Sequence, residues 1–199
     1  MADSSDLQTI SGRLERGEID SAEFLEQFTR YVAAAMGCSR AGVWVFSDTE
    51  PGHLLRCLAM YDATLDQMVT VGDMVDTDVS VYFDTLLKDG SIVAPDALTH
   101  PAMQACRQYL TDLDVRSSLD VCFSVNGVLF GTFSCEQIGS RMEWSQRQIQ
   151  RLRKIGSRAS LTLMHAASAP LDTAPGALWD TGSPSRLATL PMPLDSSGS

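Results

Sequence analysis

The residue types that do covalent or metal chemistry are sparse in this chain, and their spacing limits them further. Five cysteines, Cys38, Cys57, Cys106, Cys122 and Cys135, are scattered singly. None makes the Cys-x-x-Cys pair of a zinc or dithiol site. Cys38, Cys57, Cys122 and Cys135 lie in or beside apolar segments, where a free cysteine packs as a small hydrophobe. Nothing in the sequence marks one of them as an activated thiolate. The three histidines, His53, His100 and His165, are too dispersed to read as a metal set or a nucleophile–base pair. His53 sits beside a turn, and His165 closes a helix, where a cation suits the dipole.

A more informative pattern runs through 118–136. Ser118, Asp120, Cys122 and Ser124 alternate with Leu119, Val121 and Phe123. Thr132, Ser134 and Glu136 form a second polar line opposite Leu129, Phe133 and Cys135. Side chains two apart on a strand share a face, so both segments predict one apolar and one polar side. A polar floor carrying Asp120 and Glu136 suits a cationic or hydrogen-bond-donating ligand. A face wetted by solvent explains the same alternation. Tyr82, Phe83, Met103 and Tyr109 could wall such a site, although their helical spacing also fits plain core packing.

These residues need elements to hold them. Leu7, Ile10 and Leu14 recur at helical spacing within a polar extension, 1–20. Ser21 is a plausible N-cap for a helix over 22–36, whose apolar positions step by three and four until Gly37. Strands are predicted at 41–46, 54–61, 67–71 and 91–94, and helices at 78–88 and 101–110, the last with Pro101 in its first turn. Strands 116–125 and 128–136 flank Asn126-Gly127, a strong two-residue hairpin turn. Ser145 caps a long helix to about residue 165, with Ile149, Leu152, Ile155, Ala159 and Leu163 as its buried stripe. From 167 to 199 Pro, Ser, Thr and Gly dominate, which predicts a disordered tail. The fold class is therefore α+β: an antiparallel sheet with the first and last long helices on one face, and a ligand cavity under the middle helices and loops on the other.

Composition sets the outer bounds. At 199 residues and 44% apolar, the chain can bury one ordinary core, taken as a domain over 21–166. Acids outnumber bases 25 to 15, a net charge of -10 that disfavours nucleic acid as a partner. No apolar run approaches a membrane span, and the start of the chain has no signal-peptide pattern. Unpaired cysteines and no signal point to the cytoplasm.

Certain stretches resemble the GAF family of ligand-binding domains over about 20–165. They are Asp78 with Tyr82-Phe83, the run Ile92-Val93-Ala94-Pro95-Asp96-Ala97 into His100-Pro101, and Ser117-Ser118-Leu119-Asp120-Val121 through Asn126-Gly127, Gly131 and Glu136. The chain from Tyr109-Leu110 to Cys135 is also similar to the chromophore-binding GAF domains of phytochromes. That resemblance implies a small-molecule sensor in signal transduction or regulation, with the ligand between the sheet and segment 78–110. It puts Asp96 and His100 in a cavity-facing loop. It further implies a homodimer through the terminal helices, with ligand state read by a separate output protein.

Covalent bilin attachment is not expected. Where the bilin-binding members carry Cys-His before the matched Tyr-Leu, this chain has Ala105-Cys106. That shift turns the thiol by about 100° around a helix. Glu136 also replaces a pocket histidine. No cofactor is identified, and the cyclic-nucleotide signature is absent, since Lys88 and Lys154 are the only lysines. Catalysis is not expected. The alternative from another class is a thiol-dependent reductase of free methionine sulfoxide on the same fold, using Cys106, Cys122 or Cys135.

Overall fold

Asn126 and Gly127 take positive φ, 52° and 79°, the backbone that a two-residue hairpin turn between right-twisted strands requires. They join β6 (Val115–Val125) to β7 (Val128–Ile138), and this ribbon is the spine of the structure. The computed structural model describes residues 4–49 and 52–168. Before the ribbon come α1 (Ser4–Glu15), α2 (Ser21–Met36), β1 (Arg40–Thr49), β2 (Gly52–Asp62), β3 (Gln67–Met68), β4 (Met74–Val75), α3 (Asp76–Asp89), β5 (Ser91–Ala94), a 3-10 helix (Pro101–Cys106) and α4 (Arg107–Asp112); α5 (Gln146–Ser168) follows it. The sheet order is β3-β2-β1-β7-β6-β5, with β4 also on β2, and every pairing is antiparallel.

The alternation in β6 resolves as its pattern predicts. Leu119, Val121 and Phe123 pack with α1, α2 and α5 on what we call the outer face. Phe28 meets Phe133 with ring centroids 5.7 Å apart, and Phe123 stacks on Phe133 at 4.6 Å. Fully burying each such ring stabilises the fold by roughly 1.5–3 kcal/mol. At Gly156 α5 lies so close that a Cβ would meet Phe133 at 2.7 Å. One feature of β7 departs from strict alternation. The register slips between Phe123 and Ser124, so that Phe123 faces Gly131 and Ser124 faces Leu129. Phe130 rather than Leu129 therefore packs against the outer-face core, as an inserted bulge residue dictates.

Helix ends follow local hydrogen bonding. Asp20, not Ser21, caps α2, its Oδ1 accepting from the Glu23 amide at 2.8 Å. Gly37 closes α2 in the left-handed region, its N–H donating to Ala33. Ser145 and Gln148 form a reciprocal capping box at the start of α5. The weak strand over 67–71 is only two residues long, and the helical stretch 101–110 divides into the 3-10 helix and α4. The predicted tail lies outside the described residues except for its first two, which continue α5.

The other, inner, face of the sheet is covered by α3, the 3-10 helix and α4. Tyr82, Phe83, Leu86, Met103 and Leu110 descend onto Trp44, Leu55, Met60 and Ile92. Among the described residues no helix is long and apolar enough to cross a membrane.

Candidate functional site

The inner face combines that apolar cover with a buried polar layer. Ser118, Asp120, Thr132, Ser134 and Glu136 are buried there, as their alternation requires, and the sheet register fixes their neighbours. Asp120 lies opposite Ser134, Ser118 opposite Glu136, and Glu136 opposite Arg40 of β1. Arg40 in turn lies opposite Asp62 of β2. Asp62, Asp120, Glu136 and Arg40 are 0%, 2%, 4% and 6% exposed.

Two tyrosines tie the cover to these carboxylates. Tyr109 of α4 donates to Glu136 Oε1 at 2.7 Å. Tyr82 of α3 hydrogen-bonds Asp120, which also accepts from Ser118 Oγ at 2.9 Å and is hydrogen-bonded by Ser134. Burial drives the Asp120 carboxyl up to about 7, against the hydroxyls that favour its anion, and the charge on Glu136 adds to the rise. Glu136 is raised by the same cause, held back by Tyr109 and Arg40. Burial lifts both phenols far above their usual range, and the facing carboxylates lift them further.

Arg40 bonds Asp62 through Nε at 2.6 Å, and Asp62 also accepts from the Thr64 amide and hydroxyl. Burial works against the charge of Arg40, yet Asp62 and Glu136 outweigh it and keep the guanidinium protonated. Arg40 Nη1 and Glu136 Oε2 approach only to 4.0 Å, and neither buried atom has a hydrogen-bond partner. A buried polar atom left in this state costs about 1–3 kcal/mol.

The remaining predicted residues divide by location. Cys106 is buried beside this layer, in the fields of Asp120 and Glu136. Phe83 and Met103 are buried in the apolar part, Phe83 edge-on to Phe46 at 5.9 Å. Asp96 and His100 stand apart. Asp96 pairs with Arg141 at 2.5 Å. His100 caps the 3-10 helix, its Nδ1 accepting from the Ala102 amide at 3.3 Å, and partial burial lowers its pKa. A depression of about 300 Å³ opens between the first turn of α2 and β2–β3, beside Glu23, Met60, Met68 and Val71, and none of the predicted residues lines it.

The thiols are arranged for packing. Cys38, Cys57, Cys106 and Cys135 are buried and Cys122 is half-buried, all of them free. Burial pushes Cys106 and Cys122 up to about 12 and raises Cys57 as well. Cys135 is raised by its contact with the Cys38 thiol and by burial. A thiol that stays protonated at neutral pH is a poor nucleophile.

Arg40 and Asp62 do not stand out in the sequence. Each is a charge at the end of a strand, the place where exposed residues are usual, and only the pairing of β1 with both β2 and β7 buries them. A model of the GAF domain family matches residues 20–163. The chain belongs to the GAF domain family. No curated protein matches it. Among solved structures, this GAF domain is similar to a far-red-absorbing protein with bound biliverdin IXα, at 13% identity, covering 81% of this chain and 99% of that one with a TM-score of 0.63. It is similar to a phycoerythrobilin-bound GAF domain from a cyanobacterial phytochrome, at 17% identity, 82% and 95% coverage, and TM-score 0.63. A third is the blue-light-absorbing form of the Thermosynechococcus elongatus PixJ GAF domain, at 18% identity, 83% and 90% coverage, and TM-score 0.57. These likenesses fix the fold. The GAF domain described here does not fit a tetrapyrrole as packed: Tyr82, Phe83, Leu86 and Met103 fill the inner layer, and the Cys106 thiol is buried and protonated.

Proposed function

We propose that this GAF domain is a sensory or regulatory module that binds a small molecule between the inner face of the sheet and segment 78–110. One observation carries the reading: a layer of buried ionisable side chains whose Arg40 Nη1 and Glu136 Oε2 have no hydrogen-bond partner and approach each other only to 4.0 Å. Folding gains nothing from such atoms, and a ligand that bonds them removes the penalty. The cover is tied to this layer through Tyr82 and Tyr109, so a ligand that replaces either hydroxyl also loosens the cover. Binding then shifts the ensemble toward a conformation a partner can read.

The readout falls to the outer-face helices. Arg147, Lys154 and Arg158 are exposed along α5 and make no ion pair among the described residues. This stripe suits contact with an acidic output protein, or pairing of the terminal helices in a homodimer. The solved relatives named above include proteins bound to biliverdin and phycoerythrobilin, which supports a ligand-binding role for the fold without assigning this chain their ligands.

Native mass spectrometry of the purified chain is expected to reveal a co-purified small molecule. Amide exchange in 78–110 should then change when it is removed. Equal protection of that segment with and without bound compound overturns the reading.

A further inference from the structure

The inner layer is short of positive charge. It buries three carboxylates, Asp62, Asp120 and Glu136, against one guanidinium, Arg40. Arg40 commits its Nε to Asp62 and stands 4.0 Å from Glu136. The polar and titratable groups that face Asp120 are Tyr82 from α3, Cys106 from the 3-10 helix, Ser118 and Cys122 from its own strand, and Ser134 and Glu136 from β7. Its ladder partner on β5 is Ile92. No cation is in this set. Glu136 Oε2 is buried and accepts nothing. The fold therefore holds one carboxyl group, Asp120, with no counter-charge and a second, Glu136, that shares Arg40 with Asp62 at 4.0 Å, a costly arrangement unless a proton or a bound cation neutralises the excess.

Resting on the inner-face site proposed above, we infer that its ligand is a small organic cation with two or more N–H donors, an alkylammonium or amidinium, held by Asp120 and Glu136. Asp120 and Glu136 are diagonal neighbours on adjacent strands, a relation that separates side-chain origins by about 7–8 Å. Two carboxyl groups at that spacing can flank one amidinium. An N–H donor to Glu136 Oε2 satisfies the orphaned acceptor, and a second to Asp120 takes the place of the Tyr82 hydroxyl. Binding is an exchange: the cation enters and the proton held on Asp120 leaves to solvent, so charge in the layer balances. Tyr82, Phe83, Ile92 and Met103 pack over the position, and they must part to admit a short alkyl or aryl body against their apolar surface.

Benzamidine, with neutral benzamide and anionic benzoate as shape-matched controls, tests this on the full chain. Calorimetry in two buffers of different ionisation enthalpy at neutral pH is expected to show saturable benzamidine binding with proton release, and no benzoate binding. Asp120→Asn and Glu136→Gln should each weaken benzamidine by at least ~10-fold. Tyr82→Phe, which frees Asp120 of a competing hydroxyl, should tighten it. Equal affinity for benzamide or benzoate, failure of benzamidine to bind, or benzamidine affinity untouched by both carboxyl variants overturns the inference. Amide exchange separates the two levels. If benzamide binds and alters protection over 78–110, the site stands and the cationic class falls. If bound benzamidine leaves that segment unchanged, the site reading falls as well.

Discussion

Tyr109 on α4 donates its hydroxyl to Glu136 on β7 across 2.7 Å, bridging 27 positions of sequence between cover and sheet. Tyr109→Phe removes the hydrogen bond to Glu136 Oε1 and leaves a second buried acceptor of that carboxyl unsatisfied. We expect a loss of about 1–3 kcal/mol in denaturant unfolding at pH 7. The double variant with Glu136→Ala should cost less than the sum of the two single changes, because both remove the same bond. Strict additivity would mean that the contact contributes nothing.

The raised carboxyls make stability depend on pH with a definite sign. Asp120 titrates near 7 when folded and at the ordinary aspartate value of 3.8 when unfolded. Its contribution is fully present below pH 4 and is lost as pH climbs through 7, because there the folded state binds the extra proton. Each unit of difference corresponds to about 1.4 kcal/mol. Wild-type stability should thus fall between pH 4 and 7, and Asp120→Asn should flatten that part of the curve. An identical pH profile for the variant would contradict the assignment.

Gly131 faces the β1 backbone with no space for a side chain. A Cβ there would lie 2.1 Å from the Trp44 carbonyl oxygen and 2.8 Å from the Phe123 ring. Phe123 could turn, but the carbonyl belongs to the ladder between β1 and β7 and has nowhere to go. Gly131→Ala should cost about 3 kcal/mol or more, at the upper end for overpacking. Thermal unfolding monitored by tryptophan fluorescence would show it. A midpoint within a degree or two of wild type would refute the close approach.

Thiol accessibility follows from burial. In the native protein at pH 8, a disulfide reagent should react slowly with Cys122 and more slowly still with Cys38, Cys57, Cys106 and Cys135. After denaturation all five should titrate. A rapid native reaction at Cys106 would instead mark an activated thiolate and revive the reductase alternative.

The sequence carries the fold well because its strongest signals are local. Asn126-Gly127 fixes the hairpin, the alternation from Ser118 to Phe123 assigns both faces, and the apolar stripes of α2 and α5 identify the helices that cover one of them. The polar layer was legible only in part. Asp120, Ser134 and Glu136 announce themselves by period two within one ribbon. Arg40 and Asp62 join them through strand pairing between segments far apart in sequence, which no local pattern encodes. His100 shows the opposite limit. Its position before Pro101 suits a ligand loop and an N-cap equally, and its hydrogen bond to the Ala102 amide is the cap.

Along β6 the residues that meet the cover, Ser118 and Asp120, alternate with those that meet the terminal helices, Leu119 and Val121. Only one pleat separates the two environments. A twist of the β6–β7 ribbon that tips Asp120 toward its cover must swing Leu119 and Val121 against α5 at the same instant, as two ends of one seesaw. Relay residues become unnecessary in such a design: the strand backbone is itself the lever, and its arm is a single Cα long.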